Sequence, residues 1–488
     1  MCDKKVGTRI GNKRVHRRDF LTDTGRGLAG VALASMLHRD GLRASTEGWR
    51  PPDGKPHFQP RAKNVIWLFM RGGVSQMESF DPKPALNENA GKTIAETRWK
   101  SAQDPERLKK VRQVTVNQNT QKNKLYPMQF GFQRYGQSGI EVSDLFPRIG
   151  TCIDDIAVIR SMWTTDDNHG AQYQFQSGRH FLDGMFPTIG AWINYGLGSL
   201  NDSLPQFIKM GAKNTIEIQD GEYLGRTYDA VRIKPDPADP LPYAKPEVDL
   251  SRTEQRVAFD LIGELNRLRA TKYREDEALR ARIKSYELAF RMQTAVPESV
   301  HFDSETAATR KLYGLDDSTT KPFGMQLLAA RRFVERGVRF IEVMHGPGAA
   351  GAWDAHRGLK GNHTKLAAQV DRPIAGLLQD LKQRGLLDET IVVFGTEFGR
   401  TPGSQGPDGR DHHPFGFSVW MAGGGIQGGI VHGATDEIGF HATEHPHYVT
   451  DVHATVMRQL GVDPRRLEMP GHKRLDIEFG HPITEILA

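Results

Sequence analysis

The chain has 488 residues, 38% of them hydrophobic and 25% charged, which is enough apolar material for a large core and rules out overall disorder. The formal net charge of +6 does not argue for a nucleic-acid partner. Seven Lys and Arg against two Asp fall in residues 1–20, and no basic patch interleaved with aromatics follows. Of the two cysteines, Cys2 and Cys152, only Cys152 remains if the N-terminus is removed. Its apolar setting marks it as a buried structural thiol, with no internal disulfide.

At the N-terminus, Val15-His16-Arg17-Arg18-Asp19-Phe20-Leu21 resembles the twin-arginine export signature. The weakly apolar stretch 27–37 is far short of the roughly 20 residues that span a bilayer, and it suits a signal h-region. We read 1–45 as a twin-arginine signal peptide, 46–60 as a Pro- and Gly-rich linker, and 61–488 as one large domain. The expected partner is the twin-arginine machinery, and the expected location is periplasmic or extracellular. No later segment is suited to stable membrane insertion.

In chain order, 64–70 is an apolar run broken by Arg71-Gly72-Gly73, the pattern of a buried strand entering a glycine loop. Strands are also expected at 156–160, 207–210, 338–343, 390–395 and 417–422. Helices are expected at 252–296 (one or two, long and exposed), 365–385 and 452–460. The polar stretch 97–135 reads as a surface insertion, and 225–300 as a second one. Strands alternating with helices imply an α/β fold, a mainly parallel sheet sandwiched by helices.

Ligand-type residues crowd the last third. Trp353-Asp354-Ala355-His356 follows one strand, with His363 further on. Glu397 and Arg400 follow the next, and Asp411-His412-His413 precedes the strand at 417–422. Ligands in open parallel sheets bind beyond the carboxyl ends of the strands, so these residues are expected to converge with His169. Imidazole with carboxylate suits Zn²⁺ or another first-row ion, and carboxylate-rich sets suit Ca²⁺ or Mg²⁺.

The segment "NVIWLFMRGGVSQMESFDPKP" together with "TEFGRTP", "GRDHHPFGFSVWMAGGGIQGG", "HGATDE" and "DVHATVMRQLGVD" resembles domain-of-unknown-function family 1501, within the alkaline phosphatase superfamily. The resemblance covers roughly 60–486. It implies an alkaline phosphatase-like, sulfatase-like core and a metal-dependent hydrolase ancestry. Asp354 with His356 or His363, Glu397, and His412 or His413 then resemble the superfamily's metal ligands. Phe398 stands where a paired histidine is usual, which favours a single ion. Gly72-Gly73 replaces the carboxylate of the first strand, leaving Glu78 or Asp81 as substitutes. No Cys-x-Pro-x-Arg occurs, which disfavours a formylglycine sulfatase, and Thr164 and Thr165 fall out of register as nucleophiles.

These readings lead to an expected exported hydrolase of phosphate or sulfate esters, acting on small anionic esters or on sulfated or phosphorylated glycans. It would use one divalent metal ion, with Zn, Ca and Mg left open. Asp354, His356, Glu397, His412 and His413 are the candidate ligands. His169 is the candidate ligand or acid–base group, and Arg400 the candidate clamp for an anionic oxygen. The alternative is a non-catalytic exported binding or scaffold protein that keeps the fold.

Overall fold

The computed structural model describes residues 52–112, 124–212, 219–241, 253–254, 256–257, 260–265 and 277–488. The signal reading at 1–45 lies outside them. Of the linker, 52–60 is described, and it is tied to the body: the amides of His57 and Phe58 both donate to the Gly461 carbonyl, at 2.8 and 3.2 Å.

The strands in chain order are β1 (Asn64–Met70), the hairpin β2 (Phe132–Tyr135) and β3 (Ile140–Ser143), β4 (Ile156–Trp163), β5 (Phe207–Gly211), β6 (Val231–Arg232), β7 (Phe340–His345), β8 (Thr390–Gly395), the hairpin β9 (Gly399–Gln405) and β10 (Gly409–His413), β11 (Phe417–Ala422), β12 (Ile430–His432), the pair β13 (Ala434–Thr435) and β14 (Ala442–Glu444), and β15 (His447–Tyr448). Nine of them form one sheet in the order β12-β4-β11-β8-β1-β7-β5-β6, with β15 also on β4. β1 pairs with β7 and β8 in parallel. Only β11 runs against its neighbours β4 and β8. The expected mainly parallel sheet, holding the strands at 64–70, 390–395 and 417–422, is what the chain forms.

Both faces of the sheet are covered, and β1 shows why it reads as one apolar run. Ile66, Leu68 and Met70 enter a core with the helices Lys321–Glu335 and Leu359–Gln383. Val65, Trp67 and Phe69 enter the opposite core with Ile189–Leu197 and Val449–Gln459. Successive strand residues point to opposite faces, so a strand covered on both sides must be apolar throughout. One polar pair sits inside the sheet: Lys209 on β5 is in register with Glu342 on β7 and 3.2 Å from its Oε2, and it also pairs with Asp220.

The stretch expected as a surface insertion has a core of its own. Its described part buries Ala102, Val111 and Leu125 with Met77, Phe415, Ile438 and Phe440. In the expected helical region 252–296, Val257, Leu261, Ile262 and Leu265 are exposed, but the helix Glu277–Val300 ends with Val296 and Val300 in the main core.

Candidate metal centre

The C-terminal ends of β1, β4, β7 and β8 open onto one edge of the sheet. Because β11 runs the other way, its entry lies on that same edge, so the segment before it arrives there too. Each candidate side chain is delivered by one of these connections. His169 lies just after β4, Asp354 and His356 lie between β7 and the helix Leu359–Gln383, Glu397 lies beyond β8, and His412 is on β10.

The side chains form a continuous set of contacts. His169 Nδ1 is 3.1 Å from Glu397 Oε1, and its Nε2 is 3.4 Å from Asp354 Oδ2. Asp354 Oδ1 is 3.0 Å from His356 Nε2, 3.2 Å from His412 Nε2 and 2.8 Å from Arg400 Nη2. The two Nε2 atoms of His356 and His412 are 3.0 Å apart. Two overlapping groups have ligand atoms all within 4.8 Å of one another: His169, Asp354 and His412, and His356, Asp411 and His412. The expected convergence of His169, Asp354, His356, Glu397 and His412 is therefore present.

Three of the expected roles change. Glu397 is wholly buried and stands behind His169. Its oxygens also accept the Gly72 amide at 2.9 and 3.0 Å and Gln172 Nε2 at 3.1 Å, so it orients the imidazole and lies outside both ligand groups. His413 points away: alternation along β10 sends it to the opposite face from His412, where its Nε2 lies 2.5 Å from the Phe440 carbonyl. Arg400 is fully buried and spends its donors internally, on the carbonyls of Gly72, Gly73, Trp353 and Arg410 and on Asp354. It holds the site together and has no donor directed at a substrate.

Other candidates are also committed elsewhere. His363 accepts the Ser75 amide at 3.2 Å and stacks edge-on against Trp353. Glu78 pairs with Arg410 at 2.9 Å, and Asp81 with Lys83 at 2.9 Å. Thr164 and Thr165 both bond Gln174. Asp411 is the residue the sequence reading passed over as a ligand. Its place beside His412 was the available signal, and its Oδ1 is 3.4 Å from His356 Nδ1.

Electrostatics follow from this crowding. Burial disfavours the His169 cation, but the two carboxylates that flank it outweigh burial and raise its pKa to about 9. Burial would raise the Asp354 carboxyl; hydrogen bonds from His169, His356 and His412 and the charge of Arg400 instead hold it well below the usual carboxylate range. His412 is pushed down to about 4, chiefly by burial. The Phe398 ring packs against both histidines, its centroid 5.4 Å from that of His169 and 4.4 Å from that of His412.

The β1 loop makes the approach possible. Gly72 has φ +117°, and a Cβ there would stand 2.5 Å from the Asp354 amide nitrogen. One on Gly73 (φ +86°) would stand 2.6 Å from the Phe398 ring. Only glycine permits both the backbone angle and the contact.

No curated protein sequence matches the chain. Among solved structures, the lipoteichoic acid synthase LtaP from Listeria monocytogenes is 9% identical, aligned over 89% of this chain and 80% of its own, with a TM-score of 0.35. The PsFucS1 sulfatase from Pseudoalteromonas sp. is 12% identical over 88% and 72%, at 0.36. The phosphonate monoester hydrolase SpPMH from Silicibacter pomeroyi is 13% identical over 70% and 71%, at 0.33. At this level of similarity no residue role carries over. The family model described as Protein of unknown function (DUF1501) matches residues 62–487, and the chain belongs to that family.

Proposed function

We propose that the protein is an exported metal-dependent hydrolase of phosphate or sulfate esters with an alkaline phosphatase-like fold. The observation that carries this is the convergence of His169, Asp354, His356 and His412 on one edge of the sheet. The residues fit an ion. His169 Nε2 is buried and faces Asp354 Oδ2 at 3.4 Å, outside good hydrogen-bond geometry. The 3.0 Å between His356 Nε2 and His412 Nε2 is close to the edge of about 3.3 Å expected for a tetrahedron with metal–nitrogen bonds near 2.0–2.1 Å. His169, Asp354 and His412 would hold a divalent ion, with His356 and Asp411 beside them.

Such an ion polarises an ester oxygen and makes nearby water more acidic. The chain's own residues prepare the place. Glu397 accepts the Nδ1 proton of His169 and so fixes Nε2 as the ligand nitrogen, the outer-shell carboxylate arrangement common at metal sites. Arg400 holds Asp354 from behind. Phe398 keeps water and a second ion from beneath the histidines. Small anionic esters, and sulfated or phosphorylated glycans, are the proposed substrates. Export through the twin-arginine route rests on Arg17-Arg18 and the apolar stretch after them.

The test is metal analysis of the purified protein, with rates on a panel of aryl phosphate and aryl sulfate esters. One ion per chain and turnover of one ester class are expected, both lost in Asp354→Asn and in His412→Ala. A protein that holds an ion and turns over no ester is the scaffold of the alternative reading; one that binds no divalent ion at this site overturns the proposal.

A further inference from the structure

A cleft of about 830 Å³ opens on the same edge of the sheet as the candidate metal centre, on the flank of β5 and β6. Gly211 and Met344, at the ends of β5 and β7, line its base. Phe323 and Gln326 of the helix Lys321–Glu335 stand on one side. Lys365 and Gln369 of the helix Leu359–Gln383 stand on another, about one turn apart and so on one helix face. Lys234, just after β6, completes the rim. The segment leaving β7 borders the cleft at Gly346 and Pro347 and then runs on to Asp354, so one connection serves both places. Positions beyond the carboxyl ends of parallel strands are where open α/β sheets take ligands, and the volume is that of a small-molecule site.

Two carboxamides of the cleft are left incomplete. Trp353 Nε1 can only donate, and it donates to His345 Nδ1 at 3.0 Å. The proton of the neutral His345 ring is therefore on Nε2, which donates to Gln369 Oε1 at 3.0 Å. That bond occupies the Gln369 carbonyl and leaves its NH2, with two donors, unengaged among the described residues. Gln326 is the complement. Its Oε1 is buried with no hydrogen-bond partner, and it stands 2.9 Å from where a Cβ on Gly211 would lie. A buried acceptor left unmatched costs free energy. A hydroxyl both donates and accepts, so a ligand rich in hydroxyls answers both carboxamides. The charge is one-sided as well. No Asp or Glu lines the cleft. Lys234 pairs with Asp239 at 2.9 Å, but both side chains are largely exposed and such a pair gives way easily. Lys365 is exposed and has no carboxylate partner among the described residues. Phe323 and Met344, both buried, offer an apolar surface to the C–H face of a ring.

We propose that this cleft binds a sugar unit that carries a phosphate or sulfate ester. The ring lies on Phe323 and Met344, its hydroxyls bridge Gln326 Oε1 and Gln369 Nε2, and Lys365 with Lys234 takes the anionic group. The site does not rest on the hydrolase reading. The unit belongs either to a longer glycan that also reaches the metal centre or to a free sugar ester.

The experiment is calorimetric titration of the whole protein with glucose 6-phosphate, glucose 6-sulfate, glucose and inorganic phosphate. Both sugar esters are expected to bind, and glucose and inorganic phosphate to bind at least about tenfold more weakly, because each lacks one of the two recognised parts and a hydrogen bond to a charged group is worth about that factor. Lys365→Glu should weaken the esters by at least about tenfold for the same reason, whereas Asp354→Asn/His412→Ala, in the metal centre, should still bind them. Absence of binding, equal affinity in Lys365→Glu, or inorganic phosphate held as tightly as the esters overturns the proposal. Release of phosphate or sulfate, followed in the same samples, reports on the hydrolase reading separately. A sulfated trisaccharide separates the two sources: one that spans to the metal centre loses affinity in Asp354→Asn/His412→Ala, and one held by the cleft alone does not. A second measurement needs no variant: acetylation of Lys365 in the wild type by an N-hydroxysuccinimide ester, read by peptide mass spectrometry. Saturating glucose 6-sulfate should suppress it, and unchanged acetylation overturns the proposal even if a variant does not fold.

Discussion

The guanidinium of Arg400, fully buried, lies 2.8 Å from Asp354 Oδ1, and the same side chain donates to four backbone carbonyls of the loops around it. Removing one partner of such a pair strands the other, at a cost of about 3–5 kcal/mol. Arg400→Ala is expected to destabilise by that amount in denaturant unfolding. Arg400→Lys keeps the charge but loses the planar fork, so it should recover only part. A variant within about 0.5 kcal/mol of wild type, a typical surface-substitution effect, would return Arg400 to the role of a substrate clamp.

Two glycines separate backbone strain from collision. Gly72 (φ +117°) has no room for a Cβ, whereas Gly91 (φ +85°) has no atom within 4 Å of one. Gly91→Ala should cost only the left-handed penalty of about 1–2 kcal/mol. Gly72→Ala should cost at least about 3 kcal/mol, because backbone must also move. Equal losses in paired unfolding curves would mean that the β1 loop is not the constraint described here.

Much of this fold was legible because burial on two faces leaves a plain mark. The bounds of β1, β8 and β11 match their apolar runs. β7 begins and ends two residues later than its run suggests: Arg339 turns out to bond the Gly198 carbonyl, and His345 closes the strand. The direction of β11 was not legible, since an apolar run reads the same in either sense. Nor was the fate of Arg400, because an arginine after a strand looks alike whether it faces solvent or carbonyls. The choice between His412 and His413 depended on seeing β10 as a strand, and Gly-Arg-Asp-His-His has no apolar alternation to announce one. Glu397 was picked for its position, but its rank behind His169 is a matter of distance alone.

Inside the sheet, Lys209→Met should leave Glu342 and Asp220 facing each other without a cation. Loss of about 3–5 kcal/mol is expected. Lys209→Met/Glu342→Leu should regain part of it, and a double variant no more stable than the single would show that the carboxylates are not in conflict.

Acid sensitivity has a defined sign. Burial lowers His345 and His453 to about 4 from the ordinary 6.5, so the folded state holds both neutral. Their contribution is complete above pH 6.5 and is lost as pH falls towards 4, because only the unfolded chain takes up the proton in that window. Each should cost about 2 kcal/mol between pH 7.5 and pH 5. His453→Gln is expected to flatten that part of a stability–pH curve by this amount, and an unchanged slope would contradict the assignment.

Export can be tested directly on the precursor. Arg17→Lys/Arg18→Lys should leave the protein in the cytoplasm, as read by cell fractionation. Normal export of this double variant would remove the twin-arginine reading.

The Gly72 amide meets the Glu397 carboxylate across 325 residues of sequence, and Asp354 meets His169 and His412 from other distant stretches. Contacts this far apart in the chain form late, after the loops between them have closed. A ribosome-bound or truncated chain therefore owns these side chains but not their convergence. If the proposed ion binds here, its capture would report that synthesis and folding are both complete, and metal content would then serve as an assay for the finished protein.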